Sequence, residues 1–245
     1  MLEIGIILLS AALSALPPVA SAQEPPADGI LVQRVLVAAY FRDQPHRSAR
    51  LALLEREVRM FEALLWQHSG RRLRVEATLV PVGRAISQAE VTPYSPEWGY
   101  ALERSAWVEQ DLQRAGHATT GYDGLILLFD PIPSRPCHAA GLTWHRQRYS
   151  SIPLKENLFE DLGHRYPLHL VMVHEYLHQL DSAFEAAGEA SGFADPDRMG
   201  RTAHASCVLP GDQYPFFRTT LQHDEMCRPT RWRMLDGLMG AWITR

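Results

Sequence analysis

The stretch LHLVMVHEYLHQLDSAFEAAG, residues 168–188, is the most informative part of this 245-residue chain. Its apolar residues predict one continuous helix, anchored in a core and ending at Gly188. His174 and His178 are four residues apart, so their imidazoles project from the same helical face and can bind one metal ion. Glu175 follows the first histidine, where its carboxylate can act as general base toward a water on that metal. The stretch therefore predicts zinc-dependent chemistry.

The alternative for this stretch is a buried amphipathic helix whose histidines are hydrogen-bonded by their neighbours. If the helix is central, each of its polar side chains needs a partner, because burying an unbonded polar group costs several kcal/mol. A bound metal offsets much of that cost. Five polar side chains fall within eight residues and count against the alternative: His174, Glu175, His178, Gln179 and Asp181.

The order His174, Glu175, His178 resembles the HExxH helix of the zincin superfamily, whose members are mostly peptidases with one catalytic zinc. The resemblance implies an α+β fold, with a mixed sheet over the HExxH helix and a mainly irregular or helical C-terminal part. Metzincins carry a glycine three residues after the second histidine and a third histidine three residues further. This chain has Asp181 and Phe184 there, which disfavours that subgroup.

The length and the 46% content of hydrophobic residues suit one well-packed domain, assigned to residues 30–245. Residues 1–22 are predicted to be a signal peptide, because a short apolar run is followed by small residues ending at Ala22. Cleavage there leaves residues 23–29 as a linker and a secreted or periplasmic protein without a stable membrane anchor. Glu3 replaces the usual basic start, so an uncleaved anchor is the alternative.

Charge and cysteine content narrow the classes of partner. A net charge of −4 gives no general basic surface, so we expect no nucleic-acid partner. In an oxidising compartment, three cysteines can form one internal pair, which we expect to join Cys207 and Cys227 and to leave Cys137 over. A zinc–cysteine site is disfavoured, because no two cysteines share a short ligand spacing.

Apolar periodicity predicts the elements that precede the HExxH helix. They are a strand over 30–41, a helix over 48–69, a strand over 73–80, a helix over 95–115, a strand over 124–130 and an edge strand over 141–153. This order resembles the upper half of zincin catalytic domains, in which an exposed edge strand binds extended substrate. Such an edge offers backbone donors and acceptors to a peptide. An ordinary edge strand is the alternative.

A catalytic zinc usually takes three protein ligands and keeps one position for water, so the motif supplies only two of them. Asp195 is the favoured third ligand. The segment GFADPDRMG, residues 192–200, resembles the aspzincin pattern in which an aspartate three residues after a glycine binds zinc. Phe193 and Met199 depart from that pattern. The alternative for Asp195 is that it shapes a turn around Pro196.

Other polar residues are alternatives or helpers in the predicted site. His204 is the second choice for the third ligand, and Glu225, on a helix predicted over 216–228, resembles the placement of the third gluzincin ligand. Asp181 lies too far along the helix to reach the metal and is assigned to orienting His178. Tyr214 can donate to a developing oxyanion or simply pack beside its apolar neighbours.

The sequence thus predicts a secreted zinc metallopeptidase. His174, His178 and Asp195 would hold Zn2+, and Glu175 would take a proton from the zinc-activated water. Peptide or protein substrates are implied by the resemblance alone. One alternative is a catalytically inactive binding protein on the same scaffold, which the intact Glu175 disfavours. Another is a non-peptidase zinc hydrolase.

Overall fold

The computed structural model describes ten parts of the chain, one of which contains the HExxH helix. They are residues 29–42, 47–95, 99–132, 137, 141–144, 147–154, 167–188, 221–223, 229–235 and 237–243. The predicted signal peptide, 1–22, and all but one residue of the predicted linker lie outside them. Their assignment stays a prediction.

The described residues form an α+β fold whose main sheet is mixed. In chain order, its strands and α-helices are β1 (Ile30–Tyr40), α1 (Arg47–His68), β2 (Leu73–Val82), β3 (Val91–Ser95), β4 (Gly99–Leu102), α2 (Ala106–Arg114), β5 (Gly124–Phe129), β6 (Leu142–Trp144), β7 (Tyr149–Pro153), α3 (Leu168–Ala186) and β8 (Ala241–Ile243). None of the helices in this part of the chain is long and apolar enough to cross a membrane.

The main sheet has the strand order β2-β1-β5-β7-β6. The first four strands are parallel, and β6 pairs antiparallel with β7 at the edge. β8 pairs antiparallel with the first residues of β1, before the pairing of β1 with β5 begins at Val35. Long apolar runs such as β1 and β5 are expected of strands buried on both faces.

Two hydrophobic clusters cover the two faces of this sheet. Alternation along β1 sends Val35 and Val37 into the cluster shared with α1 and α3, and Leu36 and Ala38 into the cluster shared with α2, β3 and β4. Phe61 of α1 meets Tyr176 of α3 edge to face, with ring centroids 5.6 Å apart. The helix that carries the HExxH motif is thus packed between the sheet and α1.

Five of the predicted elements are confirmed to within two residues at each end: β1, α1, β2, β5 and α3. The helix predicted over 95–115 is wrong in its first half. There β3 and β4 form an antiparallel hairpin, and α2 begins only after Ser105, whose side chain accepts a hydrogen bond from the Val108 N–H. Tyr100 and Leu102 alternate into the second cluster on β4, so their apolar spacing belongs to a strand.

The edge strand predicted over 141–153 is two strands rather than one. Arg148, at φ 51°, lies in the turn that brings β7 back beside β6. β7 is buried throughout and lies between β5 and β6, so among the described strands β6 forms this edge of the sheet. The rings of Trp144 and Tyr149 stack across the hairpin with their centroids 4.6 Å apart, and this contact stabilises the register of the hairpin.

Candidate metal centre and general base

The HExxH residues lie on a helix that is surrounded by protein. α3 begins after Pro167, whose carbonyl accepts the first helical hydrogen bond, and most of its residues are buried on every side. A helix that is apolar nearly all round belongs in a core. Polar side chains on it therefore need partners inside the protein, and those partners reveal their roles.

His174 and His178 project from neighbouring turns of α3. His174 is partly buried, His178 is buried, and their ring centroids are 5.1 Å apart. A zinc ion about 2.1 Å from one nitrogen of each ring lies roughly 3.2 Å from each ring centre, and a tetrahedral angle then separates the two centres by about 5 Å. The observed separation fits two imidazoles that share one ion.

Glu175 is only 5% exposed, and its carboxylate contacts the edge strand. The Thr143 hydroxyl of β6 donates to Glu175 Oε2 at 2.6 Å. The side chain also lies against Gly141, where an added Cβ would come within 2.6 Å of Glu175 Cγ and 2.7 Å of Cδ. Glycine is therefore required at 141 for the carboxylate to hold this place.

A chain of hydrogen bonds continues from Thr143 into the core. Thr143 Oγ1 lies 2.8 Å from Ser150 Oγ on β7, and Ser150 Oγ receives the side-chain N–H of Gln179 at 2.7 Å. The same Gln179 nitrogen donates to the Leu125 carbonyl at 3.0 Å. The helix and three adjacent strands are thus joined beneath the motif.

Two of the polar residues on α3 have structural partners. Gln179 is bound to β5 and β7, as just described, and the Tyr176 hydroxyl donates to Gln33 Oε1 on β1. Burial raises the pKa of Tyr176 well above its ordinary value of 10.0, so the hydroxyl stays a proton donor. A Cβ at Gly124 would lie 2.8 Å from atoms of both the Gln179 and the Tyr176 side chains. This close approach explains the glycine at the start of β5.

The structure brings together three of the predicted site residues: His174, Glu175 and His178. Among the described residues, no group of three or more His, Cys, Asp or Glu side chains is arranged to hold a metal ion. The predicted third ligand Asp195 and its alternatives His204 and Glu225 lie outside those residues. So do Tyr214 and the predicted pair Cys207 and Cys227, and all of these assignments stay predictions.

Sequence reasoning missed the residues that hold Glu175 in place. Thr143 and Gly141 are 32 and 34 residues before it in the chain, so no local spacing connects them to the motif. A signal was nevertheless present. In a strand that covers the HExxH helix, alternate residues face the helix, and 141 and 143 are two such positions.

No protein-family model matches the chain, and no curated protein sequence matches it significantly.

Proposed function

We propose that this protein is a zinc-dependent metallopeptidase of the zincin type, secreted or periplasmic. One observation carries the proposal. The rings of His174 and His178 have a separation that suits one shared ion, and the buried Glu175 on the same helix has its carboxylate bound to the edge strand. A helix that served only for packing has no need of such an arrangement of ionisable groups, since buried charges are costly unless they are paired.

His174 and His178 would hold the zinc ion, and Asp195 remains the proposed third ligand. Imidazole nitrogen is among the donors that zinc prefers, and both rings project toward the same side of α3. When bound, zinc supplies a Lewis acid that polarises a carbonyl and makes water more acidic.

Glu175 is the proposed general base. Thr143 occupies its Oε2, whereas Oε1 lies on the Gly141 side of the carboxylate. An ionised carboxylate only accepts hydrogen bonds, so this side chain can take a proton from water and later give it to the leaving amine. Acceptance and return of one proton by the same group is what amide hydrolysis requires.

The edge of the sheet supports a peptide as substrate. Within the described residues, β6 pairs with β7 alone, so the other side of β6 has backbone groups to which an extended chain can pair. β6 also carries Thr143, the residue bound to Glu175. A peptide paired with β6 would therefore lie beside the proposed base.

The test is hydrolysis of casein, of a fluorogenic peptide library and of simple esters by the mature protein. We expect cleavage of peptide bonds by the wild type and its loss in Glu175→Gln, since the amide is nearly isosteric but cannot accept the proton. Glu185→Gln is the matched control, because Glu185 is exposed on the same helix. Equal peptide cleavage by wild type and Glu175→Gln contradicts the proposal, and cleavage of esters alone favours a non-peptidase hydrolase.

A further inference from the structure

We propose that Thr143 is a positioning residue for the general base. Its hydroxyl binds Oε2 of Glu175 and thereby holds the carboxylate in one position beside the edge strand. The inference rests on the proposed function, but the geometry behind it belongs to the described residues alone. It assigns to the edge strand a second task, which is to fix the base as well as to pair with substrate.

The direction of the hydrogen bonds follows from counting hydrogens. An ionised Glu175 has none to donate, so the Thr143 hydroxyl is the donor in their 2.6 Å contact. Gln179 Nε2 can only donate, so Ser150 is the acceptor in theirs. Ser150 then has its own hydrogen for Thr143 Oγ1 at 2.8 Å or for the Glu175 carbonyl at 3.2 Å. The one hydrogen of the Thr143 hydroxyl therefore goes to the carboxylate, and that of Ser150 goes to Thr143 or to the Glu175 carbonyl.

The same hydroxyl oxygen also lies close to the backbone of the residue it orients. Thr143 Oγ1 lies 3.0 Å from the Glu175 carbonyl oxygen as well as 2.6 Å from its carboxylate. Because the hydroxyl has one hydrogen, which goes to the carboxylate, the carbonyl is a close neighbour and not a second bonded partner. Buried Ser150 and Gln179 support the threonine from behind.

Gly141, two residues before Thr143 in the same segment, supplies a second contact with the carboxylate. With no side chain at 141, the carboxylate lies directly against the backbone of the segment that leads into β6. The hydrogen bond from Thr143 and the contact with the Gly141 backbone together define one position for the carboxylate. When the base is already oriented before substrate binds, the activation free energy includes no cost for reorienting it. Misplacement of such a group by about 1 Å can cost about 100-fold in rate.

Three variants test the inference. Thr143→Val keeps the shape and removes the hydroxyl, whereas Thr143→Ser keeps the hydroxyl. The matched control is Thr119→Val. Thr119 Oγ1 also donates to a carboxylate, that of Glu109 at 2.7 Å, but this pair does not involve α3. In Thr143→Val we expect kcat to fall about 10- to 100-fold, KM to stay within about 2-fold and zinc content to be unchanged. Thr143→Ser should recover most of kcat, and Thr119→Val should leave it unchanged.

Crystal structures of wild type and Thr143→Val provide a readout that does not depend on turnover. We expect the Glu175 carboxylate to leave its place against Gly141 in the variant. An unmoved carboxylate together with an unchanged kcat overturns the inference and leaves the metallopeptidase proposal standing. If instead the wild type cleaves no peptide, the proposed function fails, and the position of Glu175 in the two crystals still decides whether Thr143 holds it.

Discussion

Glu57 of α1 caps the first turn of α3 through His169. Glu57 Oε2 lies 2.6 Å from His169 Nδ1 and accepts the His169 backbone N–H at 3.1 Å. The first N–H groups of a helix have no partner within it, and Pro167, at the N-cap, has no side chain that can accept them. A carboxylate from a neighbouring helix fills that role, and its charge suits the positive end of the helix. The start of the HExxH helix is thereby fixed to α1.

We expect the Glu57–His169 pair to make the free energy of unfolding fall at acid pH. Burial raises the pKa of Glu57, but hydrogen bonds from the His169 ring and N–H outweigh burial and leave that pKa below its ordinary value of 4.5. A depressed pKa means that the stabilisation is fully present above about pH 4.5 and is lost as pH falls through the lower folded value. Glu57→Gln should lower the free energy of unfolding by roughly 3 kcal/mol at pH 7, and the difference from wild type should shrink below about pH 4.5.

Urea denaturation of both proteins between pH 3 and pH 8, followed by circular dichroism, measures this difference. Glu62 on the same helix is a control of opposite sign, because burial raises its pKa from 4.5 despite a hydrogen bond from the Ala77 N–H. The free energy of unfolding of Glu62→Gln should therefore be closest to that of wild type at neutral pH, and its deficit should grow as the pH falls. A Glu57→Gln deficit that grows on acidification contradicts the assignment.

The Gly141→Ala variant tests whether the carboxylate needs the space that glycine leaves. The new methyl group would lie within 2.7 Å of Glu175 Cδ, and the flexible glutamate would move sooner than the backbone. We expect a cost of about 1 kcal/mol in stability but a fall of about 100-fold in kcat. The control is Gly121→Ala, since nothing lies within 4 Å of a Cβ built at Gly121. Full activity of Gly141→Ala would mean that the place of Glu175 against Gly141 is not the active one.

The third zinc ligand can be assigned by comparing four alanine variants. If Asp195 binds the ion, Asp195→Ala should lose zinc affinity by more than the 10- to 100-fold that is typical when a residue that only supports a ligand is removed. Asp197→Ala, two residues away, should lose much less. Titration with a competing chelator measures all four affinities. If Asp195→Ala binds zinc nearly normally and either His204→Ala or Glu225→Ala loses zinc affinity, the residue replaced in the weaker variant is the third ligand.

The sequence revealed most where the relevant contacts are local. The periodicity of α3 and the spacing of His174 and His178 are properties of one helix, so both were predictable. β8 was missed because it has only three residues and owes its conformation to pairing with β1. The partner of His169 is 112 residues away, and no local pattern marks a histidine in an apolar run for pairing with a distant carboxylate.

The zinc content of the purified mature protein and of its His174→Ala/His178→Ala variant, measured by mass spectrometry of the metal, tests the proposed metal centre. If the two rings, 5.1 Å apart, share one ion, we expect about one zinc per wild-type molecule and almost none in the folded double variant. Circular dichroism establishes that the variant is folded. Equal zinc content in the two proteins would contradict the claim that these histidines form a metal centre.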